Sequence, residues 1–74
     1  MSSVDHPSYY QSKDIEVIDV IDAFTARLHG VEAFDTGNCI KYLCRWSEKG
    51  GLEDLMKTKW YLEHLITQEQ EESL

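Results

Sequence analysis

Between Ile15 and Leu28 the apolar residues recur at the three- and four-residue spacing of a helix. Val17, Ile18, Ile21, Phe24 and Leu28 share one side and Glu16, Asp19 and Asp22 the other. Asp14 stands where an N-cap belongs, and Gly30 where a helix would stop. A link, "GVEAFD", then leads to a second helix running to about Ser47 and ended by "EKGG". On it Ile40, Leu43 and Cys44 form a side expected to bury, while Asn38, Lys41, Tyr42, Arg45 and, one step on, Lys49 fall within about 100° of arc on the other. The third helix, about 52–69, has an apolar arc of Leu55, Leu62, Leu65 and Ile66, beside a polar-aromatic stripe of Asp54, Lys57 and Tyr61. Met56 and Trp60 make a second apolar strip well away from that arc.

No strand-like alternation, hairpin signal or internal repeat interrupts this pattern. The fold class expected is therefore all-α: a small three-helix domain over residues 14–69. An irregular N-terminal arm, 1–13, holds the only proline, and an acidic frayed tail covers 70–74. An αα-hairpin of the second and third helices brings their polar stripes to the same end. A chain of 74 residues can bury only a short core, so a homo-oligomer is expected, with Met56 and Trp60 as the subunit contact.

Charge sharpens the picture. The formal net charge is -7, yet residues 38–59 carry five bases against Glu48, Glu53 and Asp54, a local balance of +2. An acidic whole repels polyanions and anionic bilayers, so duplex nucleic acid and membrane surfaces are not expected partners. A small anion reaching a local basic pocket is compatible with it. No apolar run is long enough to span a bilayer and no secretion signal is visible, which gives a cytoplasmic expectation. Cys39 and Cys44 point about 140° apart on one helix and are expected to be reduced and half-buried.

The chemistry-bearing set is Asn38, Lys41, Tyr42 and Arg45 with Asp54, Lys57 and Tyr61 from the next helix. Fixed cations, an amide that both donates and accepts, and phenol rings suit a phosphorylated, ring-bearing ligand such as a nucleotide. Solvated helix charges are the plainer account of the same spacing. His6, Tyr9 and Tyr10 on the arm could fold over such a ligand. Glu16 and Asp19 are a carboxylate pair more typical of a solvated face than of a metal site, and no metal centre is expected. The chain has no GxxxxGK[ST] loop and no Gly-rich dinucleotide fingerprint, so any phosphate site must be built from side chains.

The ordered set "HPSYY…IEVIDVI…GNCIKYLCRW…KGG…EDLMKTKWYLEHLI" resembles a family of small phage proteins, domain of unknown function 3310. A related domain forms the C-terminal part of the nucleotide kinase of short-tailed coliphages. The resemblance covers roughly residues 6–66 and places motif positions at His6, Tyr9, Tyr10, Glu16, Asp19, Gly37, Asn38, Lys41, Tyr42, Arg45, Lys49, Asp54, Lys57 and Tyr61. It implies a phage protein acting in the cytoplasm of the infected host and some involvement with nucleotides. One form would be a P-loop-less nucleoside monophosphate kinase, using Mg as cofactor, with Lys41, Arg45 and Lys57 on the transferring phosphoryl group. Another is an oligomeric sponge that sequesters a cyclic or modified nucleotide signal of anti-phage defence, and a third is a protein-protein adaptor. Tyr9 stands where kinase-like members carry histidine, which removes a candidate acid-base group, and Thr58 replaces a usual alanine.

Overall fold

The protein is described by a computed structural model covering residues 15–73. The arm at 1–13, with His6, Tyr9 and Tyr10, and the expected cap Asp14 lie outside the described residues. Three helices follow in order: α1, Val17–Thr25; α2, Gly30–Arg45; and α3, Gly51–Glu72, with a π turn, Trp46–Gly50, between the last two. The all-α class is as the periodicity indicates.

The helix limits differ from the sequence expectation in three places. The first helix stops at Thr25, where a tight turn takes over with the Leu28 N–H donating to the Thr25 carbonyl. Gly30 does not close α1 but opens α2, with His29 extended before it and its own φ at +56°, a left-handed value that glycine adopts without a Cβ clash. The stretch expected to be a link is thus the first part of α2. At the other end α3 continues to Glu72, past the expected limit near 69.

Helices α2 and α3 form an antiparallel hairpin, seen directly in their side-chain partners. Asp35 meets His64, Cys39 meets Thr58, and Arg45 meets Asp54, so the α3 number falls as the α2 number rises. The reversal is made by the π turn, closed by the Gly51 N–H on the Trp46 carbonyl, with Gly51 at φ +58°. Helix α1 packs on another side of α2, where Gly37 leaves room for Ile21. A Cβ at Gly37 would stand 3.2 Å from Ile21 Cγ2.

What lies inside this hairpin departs from the expectation, although Val17 is buried and Ile21, Leu28, Ile40, Leu55 and Leu65 are half-buried as expected. The most deeply buried large side chains are Asp35, 0% exposed, and Asp54, 1% exposed, accompanied by Thr58, Tyr42 and, on α1, Val17. Leu43, expected to bury, is 53% exposed, and Cys44 is exposed while Cys39 is half-buried. On α1 Ile18 is exposed and Phe24 is 71% exposed; on α3 Leu62 and Ile66 are exposed. The polar-aromatic stripes of α2 and α3 face each other because their charges are complementary and answer one another at close range. Three helices cannot also cover the apolar stripes on the far sides, since each helix is wrapped on only part of its circumference. Met56 and Trp60 do lie on the outside, as their position on the helix requires.

Candidate functional site

The inner face of the hairpin is a ladder of four rungs. Nearest the turn, Arg45 grips Asp54 through two hydrogen bonds, Nε to Oδ2 at 2.8 Å and the second guanidinium nitrogen to Oδ1 at 3.1 Å. This fork-on-fork geometry is the strong form of a charge-assisted bond. It requires glycine at position 50, because a Cβ there would overlap the Asp54 carboxylate. Asp54 also sits one turn before Thr58, whose hydroxyl donates to the Asp54 carbonyl at 2.9 Å. The hydrogen bond from Arg45 holds the Asp54 carboxyl below the usual carboxylate range against the opposing effect of burial, and the charges of Arg45, Lys57 and Lys49 add to the lowering.

The second rung is aromatic. Tyr42 stacks on Tyr61 with ring centroids 6.0 Å apart and planes 15° from parallel. Three cations approach the Tyr42 ring: Lys41 Nζ at 4.6 Å, Arg45 Cζ at 5.0 Å and Lys57 Nζ at 5.3 Å from its centroid. The negative face of the phenol ring attracts each of them. Lys57 is also 3.8 Å from Glu53, an exposed pair of little weight. Tyr61 is held further by edge contacts with Phe34 at 5.7 Å and Trp60 at 5.1 Å.

Beyond this lie the Cys39 thiol, 3.7 Å from the Thr58 carbonyl, and the Asp35–His64 pair, with Oδ2 2.6 Å from Nδ1. Burial, then the Asp35 charge, pushes the Cys39 thiol above its ordinary range, so it is a packing group rather than a ready nucleophile. Asp35 Oδ1 is buried and makes no hydrogen bond among the described residues. His64 is half-exposed, stacks on Trp60 at 5.2 Å and, with Trp60, Glu63 and Thr67, lines a shallow groove of about 190 Å³.

The residues singled out by sequence are thus brought together in part. Lys41, Tyr42, Arg45, Asp54, Lys57 and Tyr61 converge, and Lys49, on the exposed side of the π turn, is close enough for its charge to act on Asp54. Asn38 turns back on its own helix, its Nδ2 donating to the Phe34 carbonyl at 3.0 Å. Tyr42 is buried, with one face stacked on the half-buried Tyr61. Asp35, Cys39, Thr58 and His64 belong to the same inner face and were not singled out. The signal for Thr58 was the register of Asp54, Thr58, Tyr61 and Leu65, one helical stripe that mixes polar and apolar letters, and nothing local marked the other three.

A second polar group stands at the opposite end of the hairpin. Glu32 near the start of α2 and Glu69 and Glu72 at the end of α3 place carboxylate oxygens within 4.8 Å of one another, a donor set that a hard cation could use. The hydrogen bond with Glu32 raises the Glu69 carboxyl above its ordinary range, with smaller contributions from burial and from the Glu32 and Glu72 charges. Glu16 and Asp19 are not in this group. Asp19 donates its backbone N–H to the Glu16 carbonyl at 3.0 Å, in the first turn of α1.

No curated protein and no solved structure matches the chain. Residues 4–63, a span that contains the π turn and the inner face from Asp35 to Tyr61, match one family model, and the chain belongs to that family, DUF3310, described as a protein of unknown function.

Proposed function

We propose that this protein binds a nucleotide or nucleotide-derived anion at the turn end of the α2–α3 hairpin. The observation that carries the reading is the gathering of Lys41, Arg45 and Lys57 on one ring, Tyr42, with Lys49 within electrostatic reach, in a chain whose net charge is -7. One buried carboxylate, Asp54, answers these cations, and it is already committed to Arg45. The half-exposed ammonium groups of Lys41 and Lys57 are then the natural contacts for phosphate oxygens. The likeness of the motif set to a domain of a phage nucleotide kinase supports the same ligand class and a setting in the infected cell.

Binding without turnover is favoured over phosphotransfer. Arg45 closed on Asp54 is not placed to neutralise a transferring phosphoryl group, and catalysis depends on groups that act more strongly in the transition state than in the ground state. The protein is thus better suited to sequestering its ligand than to converting it. The test is a melting-temperature screen of the full chain with mono-, di-, tri- and cyclic nucleotides, followed by heating and analysis of the released ligand. A ligand that raises the melting temperature and is recovered intact supports sequestration. A changed phosphorylation state overturns that part of the reading, and a panel in which nothing raises the melting temperature overturns the whole.

A further inference from the structure

We infer that α3 carries, on an exposed flank, the seam of an antiparallel two-helix contact with a second copy of this chain. The residues are Leu52, Leu55, Lys59, Leu62 and Ile66, spaced alternately three and four apart, which is the spacing of the a and d positions of a coiled coil. Leu52 is 72% exposed, Leu62 is 47% exposed and Ile66 is also exposed, although the neighbouring side of the same helix packs Asp54 and Thr58 into the hairpin. Met56, exposed as well, flanks the seam. Trp60 lies outside it, stacked on His64, so the contact centres on Leu62 rather than on Trp60.

The choice of a second copy rests on charge and on core size. The described residues bury few apolar side chains among themselves, so the fold gains most from a partner that covers this strip, and a self-complementary strip is what a two-fold contact requires. Along α3 the acids Glu69, Glu71 and Glu72 gather at the C-terminal end, and Lys57 and Lys59 lie toward the N-terminal half. A parallel pair would set those three acids beside the same three of the partner and Lys59 beside Lys59. An antiparallel pair places a on d, Lys59 opposite Leu62, and the acidic end beside the positive end of the partner's helix dipole. A lysine at one a position lowers affinity while restricting register and partner orientation.

From Leu52 to Ile66 the seam spans about 21 Å of the 22-residue helix. One helix-on-helix contact of that length falls at the small end of specific interfaces, so association in the micromolar range is expected. Sedimentation or light scattering of the full chain over a wide concentration range should show a mass rising from one chain toward two. Leu62→Glu should hold it at one chain with unchanged helical circular dichroism, because Leu62 is 47% exposed in the single chain and Glu is a good helix former. Lys59→Leu should move the midpoint to at least tenfold lower concentration. With Cys39 and Cys44 both changed to serine, oxidation should cross-link a Lys59→Cys protein and leave Leu52→Cys uncross-linked, since antiparallel helices carry the two Leu52 positions about 25 Å apart. A single-chain mass at every concentration overturns the proposal, as when the chain's own arm covers the strip. So does a dimer that survives Leu62→Glu, and efficient cross-linking through Leu52→Cys overturns the orientation.

Discussion

Replacing Tyr42 separates the two things its ring does, filling space between α2 and α3 and offering a negative face to cations. The ring is 9% exposed, stacked on Tyr61, with three cations within 5.3 Å of its centroid. Tyr42→Leu keeps apolar bulk and removes the face. The aromatic pair is worth about 0.5–1.5 kcal/mol beyond its area, and a half-exposed cation over the ring about 0.5–1 kcal/mol. Because the three cations share one ring, their sum is an upper limit, and we expect a loss of about 2 kcal/mol. In a domain of this size that lowers the melting temperature by about 8–16 °C. Tyr42→Ala also opens a cavity and costs about 3–5 kcal/mol, a large share of the stability of a chain whose total is about 4–11 kcal/mol. Tyr42→Phe keeps the face and should melt close to the parent. The decisive assay is a double-mutant cycle by thermal denaturation with Lys41→Met. The substitution should cost less in the Tyr42→Leu background than in the parent. If Tyr42→Leu melts with the parent, or Lys41→Met costs the same in both backgrounds, the ring is a spacer and the cation argument fails.

Three further outcomes follow from the same geometry. The Asp54 carboxyl titrates lower in the folded chain than its ordinary value of 3.8, so the stability it contributes is present above that value and is lost as pH falls through the lowered one. Melting followed from neutral to strongly acid solution should show this loss, and Asp54→Asn should flatten that limb; an unchanged acid limb refutes the pair. Glu69 has the opposite sign: raised in the folded state, its contribution is lost as pH rises through the raised value, so Glu69→Gln should raise the melting temperature at neutral pH and not in acid, whereas equal effects at both would deny the Glu32 contact. Gly50 has φ near −91°, where alanine is ordinarily preferred by about 0.5–1 kcal/mol, so a marked fall in melting temperature for Gly50→Ala, larger than for Gly37→Ala, would report the overlap with Asp54, and a gain would contradict it.

Among the described residues, the number of helices, their approximate limits and the membership of the polar stripes are legible in the sequence because periodicity fixes which residues share a face. Which face turns inward is not. The usual inference places the apolar face inside, yet on α2 the side bearing Asp35, Tyr42 and Arg45 is inside and Leu43 is out. The deciding term is a match between separate helices: Arg45 with Asp54 across the turn, and Asp35 with His64 across the length of the hairpin. A stripe of cations and phenols carries no direction of its own until the facing acid is in register. Asp35 and His64 escape notice for the same reason, being isolated letters far apart in the chain. Gly30 misleads in a more local way, since a positive φ serves equally to end one helix or to lead into the next.

The Arg45–Asp54 pair also decides how a bound anion and the fold would compete. A phosphate that took Arg45 for itself would leave Asp54 buried without its bidentate partner, a costly exchange inside a hairpin held by so few buried groups. The less costly mode leaves that pair intact and adds the phosphate to Lys41 and Lys57 beside the Tyr42 ring. Stability and binding should therefore be carried by different residues. Arg45→Ala should lower the melting temperature of the ligand-free protein sharply, and Lys41→Ala with Lys57→Ala should lower it less while abolishing the rise produced by a nucleotide that stabilises the parent. If the double lysine variant keeps the full rise and only Arg45→Ala loses it, at a temperature where that variant is still helical, then the ligand opens the pair, and Arg45 rather than the lysines is its principal contact.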